Sequence, residues 1–180
     1  GTYCFPLMKS TEVMFYNKEQ VNILLPLYDA SLNTEAARTE FLNNMTWEQF
    51  LDVCDAAIDH KSSLVSTLNR PAYYDSDSNL FISKMFQNEI PYSSINLETQ
   101  KGQIDFENGQ ANADAKAMVA SIKDAYDRGL ITTKGCEGTY GSDAFTAEES
   151  LFSIGSSGGA GYNFPDSDTF TVGVCKVPAS

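Results

Sequence analysis

At 180 residues, with 42% hydrophobic and 20% charged side chains, the chain has the length and composition of one globular domain with its own core. Its net charge of -12 repels nucleic-acid phosphates and anionic lipid headgroups, which excludes general nucleic-acid or membrane-surface binding. No apolar run approaches the roughly 20 residues that span a bilayer, and the opening Gly1-Thr2-Tyr3-Cys4 shows no basic or apolar leader.

In chain order, a loop feeds a predicted strand at residues 13–16, and Asn17-Lys18 breaks it to start a short helix. Residues 22–45 suggest a polar, irregular connector with one or two helical turns around 34–41. Thr46-Trp47-Glu48-Gln49 has capping-box form, and the helix it opens places Trp47, Phe50, Leu51, Cys54 and Ile58 on one stripe. A short strand is expected at 64–68, then a helix capped by Asp77 or Ser78 and carrying Phe81, Ile82, Met85 and Phe86. Period-two alternation at Ile95, Leu97, Ile104 and Phe106 around Lys101-Gly102 predicts a hairpin.

The strongest helical pattern covers 112–128, with Ala115, Met118, Val119, Ile122, Ala125 and Tyr126 on one face and Gly129 as its left-handed stop. A short helix at 142–150, a strand at 151–154, a tight turn at 155–159 and a strand at 170–174 complete the pass. Helices alternating with strands give an α/β fold class. Four cysteines lack CxxC spacing, which argues against zinc or a thioredoxin motif. Cys54 falls on a helix stripe and Cys175 in a strand, where small buried thiols are the plain reading; disulfides stay open.

Gly155-Ser156-Ser157-Gly158-Gly159 formally matches the G-x-S-x-G nucleophile elbow. That chemistry needs a histidine after the serine, and the single histidine, His60, lies well upstream. A binding turn suits the residues better: small side chains at the end of a strand leave hydroxyls and backbone N–H groups for a ligand's oxygens. A plain tight turn is the other reading. Asp75, Asp77 and Asn79 have calcium-loop spacing, but Leu80 and Phe86 stand where such a loop needs glycine and glutamate, so no metal is expected. The cluster from Tyr73 to Asn79 either caps a helix or lines a pocket of rings and polar atoms suited to a polyhydroxyl ligand.

The order of several motifs resembles the second lobe of family 1 extracellular solute-binding proteins, the sugar and glycerol-phosphate binders of ABC importers. The motifs are Pro6-Leu7-Met8-Lys9-Ser10-Thr11-Glu12-Val13-Met14-Phe15-Tyr16-Asn17-Lys18, then Thr46-Trp47-Glu48-Gln49-Phe50-Leu51. The stretch from Phe145 to Ile154 and Val172-Gly173-Val174-Cys175-Lys176-Val177-Pro178 follow. The resemblance implies one lobe of a type II periplasmic-binding-protein-like fold, helices around a small mixed sheet with one β-hairpin. It implies capture of a small-molecule ligand without catalysis or cofactor, delivery to ABC permease subunits, and a monomer that is periplasmic or a cell-surface lipoprotein.

Carried over by position, ligand contacts fall on Ser10, Thr11, Asp75, Asp77, Ser78, Asn79, Ser156, Ser157 and Gly158. Malto-oligosaccharide binders place a tryptophan after the cleft strand; here that stretch is Ser156-Ser157-Gly158, which leaves a small sugar, a polyol or a phosphate ester. The resemblance also implies that residues 1–180 are a single lobe of a two-lobed protein, carrying half a site. A non-transport extracellular interaction domain on the same fold is the alternative.

Overall fold

The computed structural model describes residues 10–179; Cys4 and residues 6–9 of the opening motif lie outside them. Strand β1 (Glu12–Asn17) points Met14 and Tyr16 to one side and Val13 and Phe15 to the other, the period-two pattern of a strand with two covered faces. Asn17 ends the strand and its side chain accepts the Gln20 N–H, capping α1 (Lys18–Tyr28).

The irregular connector expected at 22–45 is instead mostly helical, made of α1 and α2 (Glu35–Asn44). Val21, Leu24 and Leu25 form a buried stripe that holds α1 together despite Pro26, whose ring forfeits one backbone bond in the last turn. Thr34 caps α2 through the Ala37 N–H.

The expected capping box opens α3 (Trp47–Asp59): Gln49 N–H donates to Thr46 Oγ1, and Thr46 N–H donates to Gln49 Oε1. Trp47, Phe50 and Cys54 are buried as the stripe predicts. Val53 and Ala57 complete the face in place of Ile58, which is 40% exposed, and Leu51 is half-buried at its margin. No strand forms at 64–68; a 3-10 turn (Lys61–Ser63) and a bend present Leu68 to the core, and the strand comes later as β2 (Ala72–Tyr74).

Helix α4 (Asp77–Gln87) buries Leu80 and Met85 and leaves Ile82 and Phe86 outside, Phe86 at 84% exposure. The hairpin pairs β3 (Ser93–Asn96) with β4 (Lys101–Ile104). Its turn falls at residues 97–100, with Gln100 at φ 55°, so Lys101 and Gly102 sit inside β4 instead of at the tip.

Helix α5 (Gly109–Asp127) buries Ala115, Met118 and Ala125, and Gly129 at φ 80° stops it by donating to the Tyr126 carbonyl. Then come β5 (Ile131–Thr133), α6 (Lys134–Glu137), α7 (Gly141–Thr146), β6 (Phe152–Ser156), a 3-10 stretch (Ser157–Asn163) and β7 (Val172–Cys175). The last helix is shorter than the 142–150 expected, because Glu148 adopts φ 56° and turns the chain into β6.

Five strands form one mixed sheet in the order β5-β2-β6-β1-β7. β2, β5 and β6 run parallel, and β1 runs against both β6 and β7. One face packs on α1 and α3 through Met14, Tyr74, Phe152 and Ile154 against Leu24, Leu25, Phe50 and Val53. On the other, Phe15 meets Phe145 and Phe170, whose rings cross at 5.2 Å. This is an α/β lobe with helices around a mixed sheet, as the sequence leads one to expect. Burial pushes the Cys54 thiol up and the Cys175 thiol to about 12, so both behave as small apolar groups. Cys136 is an exposed free thiol.

Phe50 is fully buried between Trp47 and Phe152, so Phe50→Ala is expected to cost about 3–5 kcal/mol in urea denaturation. Ile58→Ala on the outer face stays within about 0.5 kcal/mol. Similar losses from both changes would contradict the rotated stripe.

Candidate ligand-binding site

Parallel strands carry their ligands outside their carboxyl ends, where turns and helix starts are free of the sheet. Here β2, β5 and β6 end on one edge, and antiparallel β1 begins there. That topology brings residues 10–12, 75–79, 133–141 and 155–158 to the same rim.

Glu12 is the hub of this rim. Tyr74 donates its phenol to one carboxylate oxygen, and Asn79 Nδ2 donates to the other at 2.8 Å. The strand that enters the lobe is thereby tied to both ends of the β2–α4 turn. Burial raises the Glu12 pKa, Asn79's amide opposes the rise, and the nearby charge of Asp75 adds to it.

Asp75 sits between β6 and the start of α7. Its Oδ1 accepts the Gly141 N–H at 2.7 Å, and its backbone N–H donates to the Ile154 carbonyl. Two glycines make the space. A Cβ on Gly141 would meet Asp75 Oδ1 at 2.9 Å, and one on Gly155 would meet Asp75 Oδ2 at 2.6 Å. Burial raises the Asp75 pKa, the Gly141 amide lowers it, and the Asp143 charge raises it further.

The helix cap differs from expectation. Ser76, not Asp77 or Ser78, is the N-cap of α4 and accepts the Asn79 N–H at 3.2 Å. Asp77 is freed to bind sideways, taking the Thr133 hydroxyl and the Gly135 N–H at 3.1 Å, which clamps α4 to β5 and α6. Ser78 is exposed in the same first turn.

On the other side of Glu12, the Ser157 N–H donates to the Thr11 carbonyl at 2.8 Å and the Thr11 N–H donates to Ser157 Oγ at 3.1 Å. Ser156 Oγ accepts the Gly158 N–H at 3.1 Å, and Ser10 Cβ lies 3.7 Å from where a Gly158 Cβ would stand. All nine expected contact positions thus fall on one rim, with Glu12 joining the two groups. The turn's amides are not bare as expected: those of Ser157 and Gly158 are already bonded, because Ser156 caps the 3-10 stretch and Thr11 pairs with Ser157. The rim offers hydroxyls and carboxylates instead. The same reciprocal bonds show Ser157 Oγ engaged with a backbone amide, while His60 terminates α3.

Sequence reasoning missed Glu12, Thr133 and Gly141, and named Tyr74 only as part of the cluster from Tyr73 to Asn79. Glu12 carried a signal: it shares the phase of Met14 and Tyr16, an acid on a core-facing alternation. Trp47 lies against Tyr74 at 6.4 Å, and its indole N–H donates to Gln87. Among the described residues, no group of three or more His, Cys, Asp or Glu side chains is arranged to hold a metal ion.

Gly155→Ala is expected to cost about 1–3 kcal/mol through the clash with Asp75. In an Asp75→Ala background the loss should fall to roughly half or less, by double-mutant cycle. Equal losses in the two backgrounds would contradict the packing. The raised Glu12 pKa means the folded chain binds that proton more tightly than the unfolded one, so its contribution to stability falls as pH rises from about 4.5 through the native value. The stability difference between wild type and Glu12→Gln, followed by thermal melts from pH 4 to 8, should therefore move against wild type as pH rises; a flat difference would contradict the shift.

Comparison with known proteins fits this lobe. The GacH receptor of Streptomyces glaucescens GLA.O, whose crystal structures are unliganded and in complex with acarbose and an acarbose homolog, superposes with a TM-score of 0.55 at 16% identity. The match covers 94% of this chain and 38% of that receptor, a likeness of fold. No curated protein sequence matches the chain. Among the described residues no helix is long and apolar enough to cross a membrane. A family model described as bacterial extracellular solute-binding protein matches residues 1–179, and the chain belongs to that family.

Proposed function

We propose that the chain captures a neutral polyhydroxyl solute, a sugar or polyol, at the rim around Glu12 and passes it to the permease subunits of an ABC importer. Capture is by closure against a second lobe, of which residues 1–180 supply one face, and no bond is made or broken. The observation that carries this reading is the rim's polarity. Carboxylates of Glu12, Asp75 and Asp77 stand together with the hydroxyls of Ser156 and Ser157, while the backbone amides that an anion would seek are already bonded.

Carboxylates accept, and sugar hydroxyls donate. A phosphate ester meets like charge on this rim and few unengaged amides, so the glycerol-phosphate alternative is the weaker one. Family membership and the fold shared with a receptor crystallised with acarbose support a carbohydrate ligand. A protein-contact module is the second reading. It draws on the exposed apolar side chains Ile95, Leu97 and Ile104 of the hairpin and Phe86 of α4.

Half a cleft binds weakly, so the test is an amide NMR titration with a panel of neutral sugars and polyols. Shifts confined to residues 10–12, 75–79, 133–141 and 156–158 are expected, with loss in a Ser157→Trp variant whose amide spectrum away from the rim matches wild type. Shifts on the hairpin alone, or a stronger response to glycerol 3-phosphate than to any neutral ligand, would overturn the proposal.

A further inference from the structure

Helices α4 and α5 pack tightly where Met85 meets Ala115 and Met118. Toward Asp77 they stand apart over β5, and a pocket of about 290 Å³ opens between them. Its apolar wall is Leu80, Phe81, Val119, Ile122, Tyr126 and Ile131, and Lys123 and Thr132 also line it. Leu80, Ile122 and Ile131 also line a second cavity of about 260 Å³ that continues toward Trp47 and Leu51. Val119 lies on the apolar stripe of α5 yet is 45% exposed, because the pocket stands in front of it.

The pocket shares residues with the rim. Asp77 and Thr133, bonded to each other, belong to its lining, and Asn79 of the same helical turn holds Glu12. The first turn of α4 is therefore a shared wall with the polyhydroxyl site on one side and an apolar recess on the other. A sugar ring set against Leu80, Val119, Ile122 and Ile131 would lose water and regain no hydrogen bonds from those side chains, at a cost of several kcal/mol for the hydroxyls left unpaired. Carbon fits: a cavity of about 150 Å³ already holds benzene.

We propose that this pocket receives an apolar substituent of the solute captured at the rim, so that the ligand is an amphiphile with a polyhydroxyl head and a ring or short alkyl tail. The ligand class rests on the capture reading above; the pocket itself does not. Its affinity for apolar groups is measured with a probe that carries no sugar.

Cys136 lines the pocket and is an exposed thiol, whereas Cys54 and Cys175 are buried. In the full chain carrying Cys4→Ser, the rate of Cys136 modification by a disulfide reagent reports occupancy. Benzyl alcohol at ten times its dissociation constant is expected to slow the reaction roughly ten-fold by mass action, with glycerol at equal concentration giving no protection. Val119→Trp, which fills the recess from an exposed position, should abolish the protection. Independently of that variant, intermolecular NOEs are expected from the benzyl ring to the Ile122 and Ile131 methyl groups. No protection, protection undiminished in a folded Val119→Trp, or absence of those NOEs would overturn the pocket. Retained protection with no rim response to any sugar would sink the capture reading and leave the pocket standing as an apolar site.

Discussion

Two half-buried carboxylates, on Glu12 and Asp75, hold the working edge of this lobe together. Each stands at the end of a strand where backbone pairing stops, and each binds an element the sheet cannot reach. Glu12 joins β1 to Tyr74 and the first turn of α4, and Asp75 joins β2 to the start of α7 through a space that only glycine leaves open at positions 141 and 155. Their burial raises both pKa values, and the Asp75 charge contributes to the rise at Glu12. The native fold concentrates acceptor capacity and negative charge at one edge, at some cost in stability.

Under the proposed function, this is the edge that receives donors. On that reading a solute hydroxyl adds a donor to carboxylates that already accept from Tyr74, Asn79 and Gly141, using the lone pairs those bonds leave over. The serine turn contributes differently from what its composition suggests. Ser156 and Ser157 use oxygen atoms to fasten the 3-10 stretch and the incoming strand, and each hydroxyl keeps its proton to donate. A preorganised rim of this kind lowers the ordering cost of ligand capture.

Much of this was legible in the sequence wherever a signal was local and long enough. The Thr46 capping box, the α5 stripe with its Gly129 stop, and the hairpin each depend on residues within one element, and all three form. Strands β2 and β5 did not declare themselves, because three residues give no period, and both are strands only by virtue of their neighbours. The start of α1 at Lys18 was readable, but Pro26 hid its second half; the stripe of Val21, Leu24 and Leu25 prevails by burial. At the rim, Asp75, Asp77, Asn79 and the serine turn were visible as residue types. Their division of labour was not: which side chain caps the helix and which reaches across to Thr133 is decided by tertiary placement. Glu12 was readable as a charged residue in phase with Met14 and Tyr16.

The carboxyl group of Glu12 is where the central claim is most exposed to test. Its side-chain 13C resonance, titrated by NMR with and without a bound neutral sugar, reports how the ligand meets the rim. If solute hydroxyls donate to the carboxylate, the raised pKa falls toward the ordinary value of a glutamate when the ligand binds. A Glu12 pKa that is unchanged or rises further in the complex would contradict an acceptor rim built for hydroxyl donors.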